Sequence, residues 1–160
     1  MANDSIPKSG DIEPLDTPHL ALAGFDLWVH GYQFPDSTDR WDANWLRVTA
    51  RCSASGADVS VEGGFLDTFA ISRFHDQLRA LYEHLEGEAE LSTNEPDLTV
   101  RVIGTGHGRL AVDVEITPNY LSQQHAFQFE ADQTYLPPAI AQCRAILARY
   151  PVRAATNSAV

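Results

Sequence analysis

An apolar–polar alternation of period two returns repeatedly along this chain, and no other feature limits its fold so strongly. Phe25, Leu27 and Val29 interleave with Asp26, Trp28 and His30 inside an alternating stretch from Leu20 to Val29. Leu46, Val48, Ala50 and Cys52 interleave with Trp45, Arg47, Thr49 and Arg51. The same rhythm runs through Leu98, Val100 and Val102, through Leu110, Val112, Val114 and Ile116, and through Phe127 and Phe129. Successive side chains of a strand point to opposite faces, so one polar face per strand means antiparallel pairing with a single covered side. A further strand is expected over Ala57 to Glu62, and a short one near Glu90 to Ser92. Gly104-Thr105-Gly106-His107-Gly108 supplies a tight turn.

Two stretches change period. Between Asp67 and Leu85, the residues Phe74, Leu78, Leu81, Tyr82 and Leu85 share one helical face, while Asp76, Arg79 and Glu83 point away. Gly87 is expected to stop this helix. A second helix is expected from Tyr135 to Tyr150, capped by Asp132 or Thr134, with Ile140, Cys143, Ile146 and Leu147 as its apolar stripe. Pro137 and Pro138 fit its first turn, where a missing N–H costs little.

The order βββ-α-βββ-α predicts an α+β fold. The expected form is a single domain: one antiparallel sheet of about six strands, with two amphipathic helices covering one face. Residues 1–18 read as a flexible lead-in, 19–152 as the domain, and 153–160 as a flexible tail. The two halves share a strands-then-helix order without a residue-level repeat.

The charge balance narrows the partners. The net charge is −11, and Lys8 is the only lysine. Nucleic acid is a poor partner for such a chain, because phosphate binding needs Lys and Arg to displace counterions. Between Arg79 and Arg101 lie Glu83, Glu86, Glu88, Glu90, Glu95 and Asp97 with no base among them. That run is either a solvated segment or a docking surface for a basic protein. Trp28, Trp41 and Trp45 form a second candidate surface around the first hairpin, since Trp often anchors interfaces. Packing beneath a loop is the plainer account of them. No apolar run reaches bilayer length, and the N-terminus lacks a signal-peptide pattern, so a cytoplasmic location is expected.

Reaction chemistry finds little support. Cys52 and Cys143 stand far apart without metal-ligand spacing, which reads as two buried thiols. His30, His107 and His125 show no HxH or HExxH pattern. His75 and Asp76 are helical neighbours and are expected to point apart. The glycine-rich turn precedes a strand and not a helix, so it does not read as a phosphate loop. Asp113 and Glu115 read as the solvated outer face of a sheet. No catalytic, cofactor or metal residues are assigned.

Tyr32-Gln33-Phe34-Pro35 followed by Asp42-Ala43-Asn44-Trp45-Leu46 resembles the opening hairpin of the WapI-type immunity protein family. Gly87-Glu88-Ala89-Glu90-Leu91 and Asp132-Gln133-Thr134-Tyr135-Leu136, the latter leading into a helix that ends at Tyr150-Pro151-Val152, are also similar. The resemblance spans about residues 20–153. It implies a non-enzymatic binder of a cognate toxin, in some cases a nuclease, and it carries no catalytic residues; the acidic charge balance in turn makes a basic toxin the expected partner. Asn44, at the entry to a strand, is expected to satisfy backbone groups of the preceding loop. Two rival readings remain from the residues themselves: a structural or self-associating domain, and a small-ligand binder or enzyme.

Overall fold

The computed structural model describes residues 16–93 and 98–154. Glu95 and Asp97, most of the lead-in and most of the tail lie outside the described residues. The chain is α+β, but its strands form two sheets and not one. The first sheet holds β1 (Leu20–Leu22), β2 (Phe25–Tyr32), β3 (Trp45–Ala54) and β4 (Ala57–Asp67) in sequential order. Helix α1 (Thr68–His84) follows. The second sheet holds β5 (Glu88–Ser92), β6 (Leu98–Gly106), β7 (Arg109–Ile116) and β8 (Ala126–Asp132), again in order, and α2 (Leu136–Arg149) closes the chain. All pairings are antiparallel.

The single sheet of about six strands fails because β4 and β5, on either side of α1, do not pair, and the strand count is exceeded for a local reason. The stretch from Leu20 to Val29 is a tight hairpin, because Ala23 adopts a left-handed φ of 53° and turns the chain at Gly24. A Cβ on Gly24 would run into the Phe129 ring, so the turn packs directly on the second sheet. Left-handed backbone at Leu85, φ 56°, ends α1 two residues before the expected Gly87. Both positive-φ residues are ones a propensity argument would pass over.

The halves share more than an element order. β4 and β8 each end in an aspartate, Asp67 and Asp132, whose carboxylate accepts backbone N–H groups at the start of the next helix. Counted from those caps, Gln77-Leu78-Arg79-Ala80-Leu81 and Gln142-Cys143-Arg144-Ala145-Ile146 fall at the same positions. Leu78, Cys143, Leu81 and Ile146 are all buried. Gln77 Oε1 accepts the Glu90 backbone N–H of β5 at 2.8 Å, and Gln142 Oε1 accepts the Ala21 N–H of β1 at 2.9 Å. Each helix thus seals the edge strand of the other half, where unpaired backbone would invite foreign strands. The helices also pack on each other. A residue-level repeat therefore exists, confined to the helices.

One core joins both sheets and both helices. Phe25, Leu27, Leu46, Val48, Phe74, Leu78, Val100, Val112, Val114 and Leu136 are fully buried within it. Each such side chain contributes about 1.5–3 kcal/mol through removal from water. Tyr82, expected on the apolar face of α1, is instead 47% exposed.

Candidate functional site

The strand registers sort the charged residues into two unlike faces. On the first sheet, Asp26 lies opposite Arg51, and Arg51 forks onto Asp58. The Arg51 hydrogen bond holds the Asp58 carboxyl below its usual range. Burial pushes Asp26 upward, against a smaller opposing effect of Arg51. Acids and bases are interleaved there.

The second sheet gathers carboxylates. Glu88 and Glu90 of β5, Asp113 and Glu115 of β7 and Glu130 of β8 point outward, because their alternate neighbours Ala89, Leu91, Val112 and Val114 are buried in the core. Arg101 of β6 stands among them, 2.8 Å from Glu88 and 3.6 Å from Glu90, in register with Asp113. Arg109 lies at the turn end of β7 opposite Asp132. The acidic run seen in sequence is therefore partly paired, since the register brings Arg101 across from Glu90. Glu83 and Glu86 are exposed near the end of α1. Asp113, Glu115 and Glu130 join the same sheet face from distant strands, which only the register reveals.

The three tryptophans separate. Trp28 is buried, its indole N–H donating to the Asp16 carbonyl at 2.5 Å. It is withdrawn from any partner surface, because the segment before β1 lies over it. Trp45 is half-buried at the start of β3. Trp41 is 60% exposed, in the loop between β2 and β3, with Phe34 nearby in the chain at 46%.

That loop is built around Asn44, a fully buried residue. Its Nδ2 donates to the carbonyls of Arg40 at 2.7 Å and Arg153 at 2.9 Å. Its Oδ1 accepts from Thr68 Oγ1 at 2.6 Å and from the Arg153 N–H at 2.8 Å. Every hydrogen-bonding capacity of the amide is used. The Arg153 guanidinium, stacked on Tyr32, donates to the Pro35 carbonyl at 2.9 Å. The chain after α2 thus straps the loop from behind. Asn44 was legible as a loop anchor; its partners Arg153 and Thr68 were not, since they lie far off in sequence.

Reaction chemistry remains sparse. His75 Nδ1 and Asp76 Oδ1 lie 3.1 Å apart, so these neighbours do meet, contrary to the expectation from helix geometry. The two thiols are free and buried, and burial pushes both up to about 12. Protonated thiols of this kind are poor nucleophiles and poor ligands. Among the described residues, no group of three His, Cys, Asp or Glu side chains gathers as a metal site. A surface depression of about 690 Å³ is lined by Thr105, Arg109, Glu130, Asp132 and Tyr135, with no histidine in its lining. Asp132 is there committed to capping, with a carboxyl lowered by bonds from Thr134. No helix among the described residues is long and apolar enough to cross a membrane.

Comparison with curated proteins and with solved structures returned no match. The family comparison did: residues 21–151 match the model of the Immunity protein WapI-like family, from within β1 to Pro151 just after α2. The matched span takes in both sheets, both helices and the Asn44-centred loop, and the chain belongs to that family.

Proposed function

We propose that this chain is a non-enzymatic immunity protein that binds and blocks a cognate toxin in the cytoplasm. The carrying observation is the outer face of the second sheet, where Glu88, Glu90 and Asp113 surround Arg101 and Glu115 and Glu130 lie farther along the same face. Like charges held together repel one another, so a rigid sheet that keeps them in place maintains a local negative field. A toxin acting on nucleic acid must itself attract phosphate, and such a face competes for the same basic groups. The field steers a basic domain toward the protein and raises the association rate more than the final affinity. Blocking is then stoichiometric.

The test pairs the protein with a toxin domain from the same genome, sought first among the genes adjacent to its own. Cells expressing that domain should survive only when this chain is co-expressed. Glu115→Lys with Glu130→Lys leaves the Glu88–Arg101–Glu90 cluster intact and reverses two exposed charges. Association of that double variant should slow by about ten-fold at low salt and much less at high salt, because screening acts within about 8 Å at physiological ionic strength. Lack of protection would overturn the immunity reading. Protection with an unchanged, salt-insensitive association rate would remove the acidic face from the mechanism.

A further inference from the structure

Trp41 and Phe34 are large apolar side chains on an ordered loop that leaves about half of each exposed. Asp39 Oδ1 accepts the backbone N–H groups of Trp41 at 2.9 Å and of Asp42 at 3.0 Å. Asn44 and Arg153 hold the backbone on either side, at Arg40, Pro35 and Ser37. The Trp41 ring meets Phe69 of α1 edge-on at 5.8 Å, and the Arg40 guanidinium sits 5.4 Å from each ring. An exposed indole is unfavourable in water, and fixing its loop costs conformational entropy as well. Both costs are offset when a partner covers the ring, because a pre-ordered side chain loses little freedom on binding.

We propose that the loop from Phe34 to Asp42 is the central anchor for the toxin, with Trp41 entering an apolar pocket on it. The pocket is rimmed by Lys or Arg side chains that meet Asp36 and Asp42. This inference rests on the immunity reading above and names the contact surface within it. Charge complementarity selects this loop over its rival. Tyr120 and Leu121, between β7 and β8, are 62% and 82% exposed, but the connecting segment from Thr117 to His125 carries no carboxylate. The acidic sheet face, conversely, carries no exposed aromatic on its strands, and Tyr135 at its edge, 41% exposed, stands beside Arg109 as well as Glu130 and Asp132. The Phe34–Asp42 loop combines exposed rings with exposed acids, and Arg40 directs its own charge at the ring faces. The occupant is therefore a basic protein surface with an apolar centre.

Binding kinetics with that toxin domain, purified, decide it. Trp41→Ala should weaken binding by about thirty-fold or more, through faster dissociation, as central hot spots do. Phe34→Ala should weaken it by about ten-fold, and Tyr120→Ala by less than about two-fold. None of the three lies in the core, so melting curves should stay within a few degrees of the parent and exclude misfolding as a cause. Wild-type binding that survives both Trp41→Ala and Phe34→Ala within about two-fold would overturn the anchor and leave the immunity reading standing. A larger loss from Tyr120→Ala would move the interface to the second half and also overturn it. Absence of wild-type binding would overturn the immunity reading, and the anchor with it.

Discussion

The first half of the molecule, β1 to α1, and the second, β5 to α2, are built to one plan and decorated in two ways. Both are four-stranded meanders that end in a capping aspartate and a helix. Both helices reach across to seal the other half's edge strand with a glutamine. The decoration differs by which connection is long. In the first half the β2–β3 link is extended into the aromatic loop, while β3 and β4 are joined by a tight turn. In the second half β6 and β7 are joined tightly at His107-Gly108, both at positive φ, while β7 and β8 are linked by the long segment ending at His125. The sheet faces differ as well: interleaved charges on the first, carboxylates around a single central arginine on the second. The parts that hold the fold together recur, and the parts that a partner would meet do not. Sealed edges and buried core residues are constrained by the whole structure, whereas loop contents are free to vary.

The sharpest way to break the comparison is at Asn44, whose four hydrogen bonds tie the first half's loop to α1 and to the strap beyond α2. Asn44→Ala leaves buried backbone and hydroxyl groups without partners, at an expected cost of about 3 kcal/mol in denaturant melts. A cost below about 1 kcal/mol would mean that the loop and strap are not coupled to the core. Leu46, the buried neighbour of this hub, should cost about 2–5 kcal/mol on truncation to Ala by cavity formation alone. Comparing the two variants separates packing from polar satisfaction.

Much of the strand content could be read from the sequence, because alternation is local and survives any tertiary arrangement. The helices could be read for the same reason. The β1–β2 hairpin could not, since it turns on left-handed backbone at Ala23, a residue with no turn signature, and the division into two sheets could not, since it depends on β4 and β5 staying unpaired on either side of α1. The repeat was hidden because only the helices keep it; the strands and their links have drifted in length. Trp28 and Trp41 looked alike as candidates, and only the chain laid over Trp28 distinguishes them. Thr49, alternating onto the polar face, is buried and bonded to His30 at 2.7 Å, so its surroundings too are non-local. Register made Arg101 a partner of Glu90, and a one-residue slip would have undone the pairing.

A smaller effect tests whether the halves are equivalent in their shared plan. Gln77→Ala and Gln142→Ala each remove one side-chain acceptor from an edge-strand N–H. Each should cost about 1 kcal/mol, and the two costs should agree within about 0.5 kcal/mol if the edges are sealed alike. Hydrogen exchange should accelerate at Glu90 in the first variant and at Ala21 in the second. Exchange that changes at neither amide would show that the glutamines cover the edges without protecting them. A large cost for one variant alone would mean that the repeat is geometric and not energetic.

The smallest expected effect concerns the charge pattern of the first half. Asp26 is half-buried, and its carboxyl is pushed up by burial more than Arg51 pulls it down. The folded state therefore holds the Asp26 proton more tightly than the unfolded chain does. Stability from this group is present below the ordinary carboxyl value, about 4, and is lost as pH rises through the folded one. Asp58 acts in the opposite sense: Arg51 lowers it, so its contribution is present at neutral pH and is lost on acidification. Asp26→Asn removes the unfavourable charge and keeps the shape and polarity. It should raise Tm at pH 7 by a degree or two, and the gain should vanish near pH 3, where the wild-type carboxyl is protonated. A lower Tm at pH 7 would show that the attraction of Arg51 outweighs burial, and that the first sheet uses Asp26 as a paired charge like the carboxylates around Arg101 on the second.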